Sequence, residues 1–79
     1  MDMELKLIER GDFHELDCRN MVCPYPVIIT KLAMQKVDRL EVLTNNPPSV
    51  RDIEKIAEKE GWRVEKRRDG EVWRIRIWR

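Results

Sequence analysis

Histidine occurs once (His14) and cysteine twice (Cys18 and Cys23) in this chain of 79 residues, which is too few thiols for a disulfide scaffold and too small a set for four-ligand zinc. A reducing compartment would keep both cysteines as thiols. No apolar run approaches the roughly 18–20 residues of a bilayer span, so no membrane partner is expected. The opening Met-Asp-Met-Glu-Leu-Lys lacks the basic-then-apolar layout of a secretion signal, and the expected location is the cytoplasm. Repeats, low-complexity tracts and linkers are also missing, and residues 1–79 read as a single domain. A domain of this size buries roughly 60–65% of its unfolded surface, enough for one modest core but not for a deep cavity. Function should therefore sit at the surface.

What is present in quantity is charge: 39% of residues are charged, for a formal net charge of only +1. The balance hides an asymmetry. Residues 1–17 carry six acids (Asp2, Glu4, Glu9, Asp12, Glu15, Asp17) against two bases (Lys6, Arg10), whereas residues 63–79 carry seven bases against three acids. Such an arrangement suits solvated strand faces or an electrostatic docking surface.

Periodicity orders the elements. Leu5 to Ile8 can form an additional N-terminal strand turning at Gly11-Asp12, and Phe13 to Asp17 reads as the first principal strand. Pro24 to about Lys36 reads as a helix. Its expected inner face is Tyr25, Ile28, Ile29, Leu32 and Lys36, at i, i+3, i+4, i+7 spacing and widened by Val27 and Met34. Leu40 to Thr44 is a second strand, with Leu40, Val42 and Thr44 facing one way and Glu41 and Leu43 the other. Asn45-Asn46-Pro47-Pro48 breaks it. A second helix is expected from about Ser49 to Glu60, started by a Ser49/Asp52 capping box, stopped by Gly61 and facing inward through Val50, Ile53, Ile56 and Ala57. Trp62 to Glu65 and Val72 to Trp78 then form a hairpin through Asp69-Gly70, with Lys66-Arg67-Arg68 as a solvated loop. Right-handed crossovers place both helices on one side of the sheet, giving a two-layer α/β (α+β) sandwich of βαβαββ order whose other sheet face meets water. In the last strand Trp73, Ile75 and Ile77 alternate with Arg74 and Arg76, so that exposed face is largely basic.

The segment with chemical potential is Leu16-Asp17-Cys18-Arg19-Asn20-Met21-Val22-Cys23-Pro24-Tyr25-Pro26. Cys23 falls where a loop enters a helix, at or near the N-cap. Unpaired amides and the positive dipole end favour a thiolate there, and would hold a negative persulfide by the same forces. A free cysteine is just as often a small buried hydrophobe. Cys18 has the same two readings: a thiol packed or partly exposed at a strand end, or a resolving thiol able to bridge to Cys23 if their Cα atoms come within about 7 Å. His14 reads as a strand residue, and Trp62, Trp73 and Trp78 as core and sheet-face residues. Arg67, Arg68, Arg74 and Arg76 could together face an acidic partner protein or RNA.

Leu16-Asp17, a short gap and Cys23-Pro24-Tyr25-Pro26 opening a helix resemble the TusA/SirA-type family of small sulfur carriers. The Asn45-Asn46-Pro47 corner is similar to that family's Asp-Asp-Pro turn, and Asp52-Ile53 to the Asp-Ile that follows it. The resemblance spans about residues 13–79. It implies a mixed four-stranded sheet in the order 1-2-4-3, with the last strand antiparallel to the others. It also implies that Cys23 accepts sulfane sulfur as a persulfide from a cysteine desulfurase or rhodanese-like donor and passes it to an acceptor protein. Pro24 and Pro26 would shape the helix start, and Asp17 would order the loop. No cofactor is implied, direct nucleic-acid binding is not expected, and the chain should be a monomeric carrier more than a turnover enzyme. Relatives with this motif serve tRNA thiolation, molybdenum cofactor assembly, sulfur oxidation and selenium handling. Asn20 stands where the family commonly has glycine, and Asn45 and Asn46 replace acids. Two other functions compete with a carrier: a thiol-disulfide module using Cys18 and Cys23, and a regulatory or RNA-binding module using the basic sheet face.

Overall fold

The computed structural model describes residues 7–21 and 25–79. Its elements are β1 (Leu7–Arg10), β2 (Phe13–Asp17), α1 (Tyr25–Met34), β3 (Arg39–Thr44), α2 (Pro47–Lys59), β4 (Arg63–Asp69) and β5 (Val72–Trp78). They form one five-stranded sheet in the order β1-β2-β3-β5-β4. β2 and β3 run parallel, and β5 runs antiparallel to both of its neighbours. The expected four-stranded order survives within β2 to β5. The sheet is enlarged by β1, which pairs antiparallel with β2 from Leu7↔Leu16 to Arg10↔Phe13. Of the residues expected to build that extra strand, Leu5 and Lys6 lie outside those described.

Both helices contribute to one core. Leu16, Leu40, Val42, Ile75 and Ile77 from the sheet meet Ile29, Ala33 and Met34 of α1, Val50, Ile53 and Ala57 of α2, and Trp62. Each fully buried branched side chain contributes about 1.5–3 kcal/mol of transfer free energy. The α2 face agrees with the sequence pattern, apart from Ile56, which is half-buried.

The α1 face does not agree. Pro26, Ile29, Thr30, Ala33 and Met34 are the buried residues, while Tyr25, Ile28 and Leu32 remain exposed. Nearly every position of α1 is apolar, so periodicity offers little contrast, and the compact Thr30 and Ala33 suit the close approach to the sheet. The helix is turned about its axis by roughly one residue, about 100°, from the expected orientation.

The start of α2 also differs. Asn46, not Ser49, is the N-cap, with Pro47 and Pro48 as the first two helical residues. Asn46 Oδ1 accepts hydrogen bonds from Ser49 N at 3.1 Å and Ser49 Oγ at 2.8 Å. Proline lacks an N–H that would be unpaired in a first turn anyway, so the pair that reads as a breaker is a helix start. The stop is as expected. Gly61 has φ +81°, and Gly61 N and Trp62 N donate to Glu58 O and Ala57 O at 3.1 and 2.8 Å, the paired bonds of a Schellman ending.

β4 is longer than expected. Lys66, Arg67 and Arg68 are strand residues at the exposed sheet edge, where their charges oppose pairing with another chain. Gly70, at φ +67°, occupies the first turn position of the hairpin closed by Asp69↔Val72. Among the described residues no helix is long and apolar enough to cross a membrane.

Candidate functional site

The strand-to-helix junction after β2 is built from short-range polar contacts. Cys18 N donates to Leu43 O at 2.7 Å, prolonging the β2–β3 ladder by one residue, and Met21 N donates to Cys18 O at 3.2 Å, closing a four-residue turn. Asn20 sits in that turn at φ +70°, the left-handed conformation that asparagine tolerates better than other side chains do. The turn thus keeps the shape that glycine would allow.

Two side chains clamp it. Asp17 Oδ1 accepts from Arg19 N at 3.0 Å and from Arg19 Nε at 2.9 Å, and Asp17 Oδ2 accepts from Arg19 Nη2 at 2.8 Å. The bonded guanidinium holds the Asp17 carboxyl below its ordinary pKa, against a smaller opposing effect of burial. From the β3–α2 corner, Asn45 Oδ1 accepts from Asn20 N at 3.2 Å. Next to it Asn46 N donates to Thr44 Oγ1 at 3.1 Å while its side chain caps α2. The two corners that carry the family-like motifs are therefore tied together. Asn45 and Asn46 both act through acceptor oxygens, the one function an asparagine shares with the aspartate it replaces.

Val22, Cys23 and Pro24 lie outside the described residues, so the site is defined by its two flanks, Met21 and the first turn of α1. Pro26 is fully buried beneath that turn. Cys18 is also fully buried, and its thiol is pushed up to about 12, chiefly by burial and secondarily by the negative charge of Asp17. It is a protonated core side chain at neutral pH. Thr30 Oγ1, one helical turn from Pro26, is buried without a hydrogen-bond partner among the described residues. His14 sits near the other end of β2, about 13 Å from Cys18 at ordinary strand rise.

The basic residues do not gather into one patch. Arg67, Arg74 and Arg76 share the sheet face away from the helices, whereas Arg68 pairs opposite Trp73 on the helix side and stacks 5.7 Å from its ring. On the open face Glu41 is the pivot. Its two oxygens pair with Arg74 Nη1 at 3.2 Å and Arg76 Nε at 2.7 Å, and Arg74 also reaches Asp69 at 3.7 Å. Arg76 lies 5.2 Å from the Phe13 ring, which meets Trp78 edge-on at 6.2 Å. Much of the basic character seen along β5 is thus neutralised from β3. The alternation of Glu41 with Leu40 and Val42 signals this, because it turns Glu41 onto the arginine face. Arg19 was missed as a partner of Asp17, although the Asp-x-Arg spacing permits this turn. A cleft of about 300 Å³, lined by Lys31, Met34, Ile56, Glu60, Trp62 and Arg79, lies by the C-terminal ends of both helices, away from the first turn of α1.

Comparison with known proteins gives three concordant matches. The family model described as Sulfurtransferase TusA matches residues 14–79, leaving β1 outside the match. A curated protein of Archaeoglobus fulgidus, named "Putative sulfur carrier protein", is 38% identical over 52 residues, covering 62% of this chain. The match spans 59% of that relative's own length. Among solved structures, the crystal structure of a SirA-like protein from Desulfitobacterium hafniense superposes with a TM-score of 0.76 at 30% identity, covering 81% of this chain and 93% of that one.

Proposed function

Because the chain belongs to the TusA sulfurtransferase family, we propose that it accepts sulfane sulfur on Cys23 as a persulfide and relays it to an acceptor protein. The observation that carries this reading is the junction itself: a Cys-Pro-x-Pro segment entering α1, flanked by a turn that Asp17 and Asn45 hold in shape. In the loading step the Cys23 thiolate attacks the outer sulfur of a donor persulfide. A new S–S bond forms on Cys23, the donor's inner sulfur leaves as a thiolate, and the outer sulfur keeps its proton, so no external oxidant or reductant is consumed. The first turn of α1 favours the Cys23 thiolate that enters this step and the persulfide anion left once the outer sulfur releases its proton to water, while Pro24 and Pro26 stiffen it.

The donor is a cysteine desulfurase or a rhodanese-like protein, and the carrier works as a cytoplasmic monomer without a cofactor. Cys18 is a packing residue in this account. Its burial and protonated thiol support that assignment over a resolving role. The pairing of Arg74 and Arg76 with Glu41 likewise speaks for a self-compensated sheet face over an RNA platform. The reading is tested by incubating the protein with a cysteine desulfurase and cysteine and weighing it intact. One added sulfur that disappears in Cys23→Ser is the expected result. No added mass, or a gain that persists in Cys23→Ser, contradicts the proposal.

A further inference from the structure

β4 is an edge strand of seven residues, all of them exposed except Val64. It carries four bases, Arg63, Lys66, Arg67 and Arg68, against Glu65 and Asp69. Asp69 is engaged by Arg74 at 3.7 Å and Lys66 by Glu54 at 3.1 Å, whereas Arg63 and Arg67 form no ion pair among the described residues. The register shows which backbone groups are free. A two-residue turn closes the hairpin at Asp69↔Val72, and Arg79 N donates to Asp38 O at 3.2 Å. The even-numbered residues of β5 therefore bond to β4 and the odd-numbered ones to β3. On β4 their partners are Arg63, Glu65, Arg67 and Asp69, which leaves the N–H and C=O groups of Val64, Lys66 and Arg68 pointing outward.

We propose that this edge accepts an extended acidic segment of a partner protein as a sixth strand. Charges that oppose pairing with most chains favour this one. An added strand sets one residue opposite each of Lys66, Arg67 and Arg68, so three consecutive carboxylates meet three bases on alternating faces, and an apolar residue two places further on meets Val64. The outward N–H and C=O groups select a polypeptide over a nucleic acid, because alternating donors and acceptors match another peptide backbone and not a phosphate chain. A second copy of this chain fits less well. Its β4 brings the same excess of bases, and the antiparallel register that aligns Glu65 with Arg67 also sets Lys66 against itself. β2, β3 and β4 run the same way, so Arg67 shares a row across the sheet with Asp17, Leu43 and Arg74, about 14 Å from Asp17 over three strand spacings. A chain bound at this edge leaves the Asp17 turn uncovered and acts as a tether. Such binding involves no sulfur chemistry, so it holds or fails independently of a persulfide on Cys23.

The probe is the peptide acetyl-Thr-Glu-Glu-Glu-Lys-Val-Thr-amide. Antiparallel to β4, it sets its glutamates against Arg68, Arg67 and Lys66 and its valine against Val64. Binding is followed by fluorescence anisotropy at low salt, and backbone pairing by amide hydrogen exchange in the full chain. Exchange at Val64, Lys66 and Arg68 should slow in the complex, while the Glu65 and Arg67 amides, already bonded to β5, should change little. N-methylation of the two glutamates opposite Arg68 and Lys66 keeps the charge, removes the pairing donors and should weaken binding about tenfold. Arg67→Glu, an exposed change opposite Arg74, should weaken it about tenfold at low salt, with the difference shrinking as salt rises. A thermal melt checks the fold of this variant, and the N-methylated pair tests wild type without any substitution. No binding at low salt, equal binding of the N-methylated peptide, or shielding that does not alternate along β4 overturns the proposal. Polyuridylate that displaces the peptide at matched salt overturns it in favour of a nucleic-acid surface. Protection of the same three amides that rises with protein concentration and without peptide overturns it in favour of a second copy.

Discussion

Native-state alkylation offers a quantitative check on the two cysteines. With its thiol pushed up to about 12, Cys18 at pH 8 is ionised in about one molecule in ten thousand, against about one in ten for a thiol at the ordinary 9.0. Since the thiolate is the nucleophile, iodoacetamide should modify Cys18 about a thousandfold more slowly than an unfolded cysteine, before any added protection from its complete burial. The assay is a time course at pH 8 with peptide mapping. One thiol, Cys23, should label in the native protein, and Cys18 only as denaturant unfolds it. The same shift predicts a pH dependence. The folded state retains the Cys18 proton to about 12 while the unfolded chain releases it near 9.0, so stability is full below pH 9 and declines between pH 9 and 12. The loss attributable to this residue is at most about 4 kcal/mol, and Cys18→Ala should flatten it. Labelling of Cys18 within tenfold of the unfolded rate, while the fold remains intact by circular dichroism, would refute the reasoning and revive the thiol-disulfide module.

Three further outcomes follow from the contacts around the site. Asn46→Ala, which removes the acceptor for both Ser49 N and Ser49 Oγ, should cost about 1–2 kcal/mol in denaturant unfolding, whereas Asn46→Asp should stay within about 0.5 kcal/mol of wild type. Asp17→Asn should speed hydrogen exchange at the Met21 amide by loosening the turn that Asp17 clamps through Arg19. Because the Asp17 pKa is depressed, acid should produce the same loosening in wild type only as the pH falls below about 4. Glu41→Gln should lower stability by about 1–2 kcal/mol and free Arg74 and Arg76, so that salt-dependent RNA affinity, measured by filter binding across a salt series, becomes stronger than in wild type.

The sheet was legible because its strands alternate against charge. In β5, Trp73, Ile75 and Ile77 facing one way and Arg74 and Arg76 the other leave a single acceptable register. α2 was legible for a similar reason, since Val50, Ile53 and Ala57 stand out among charged neighbours. α1 offered no such contrast. An almost wholly apolar helix can bury any of several faces, and the one buried here centres on the compact Thr30 and Ala33, which no spacing rule encodes. The core strand order came from family resemblance more than from residues. At the site, Asn20 announced its left-handed turn, but its tie to Asn45 spans 25 positions and is visible only once β2 and β3 lie side by side. Glu41 illustrates the same limit. Its placement opposite Arg76 follows from strand order and not from anything local.

The central claim is that one particular sulfur atom resides on Cys23. The most direct measurement is therefore residue-level mapping of sulfane sulfur after loading, by alkylating the persulfide and sequencing the peptides of wild type, Cys18→Ser and Cys23→Ser by mass spectrometry. The account predicts the extra sulfur on the Cys23 peptide in wild type and in Cys18→Ser, and on neither cysteine peptide in Cys23→Ser. Sulfur recovered on Cys18, or a Cys18–Cys23 disulfide with released sulfide as the main product, would contradict it.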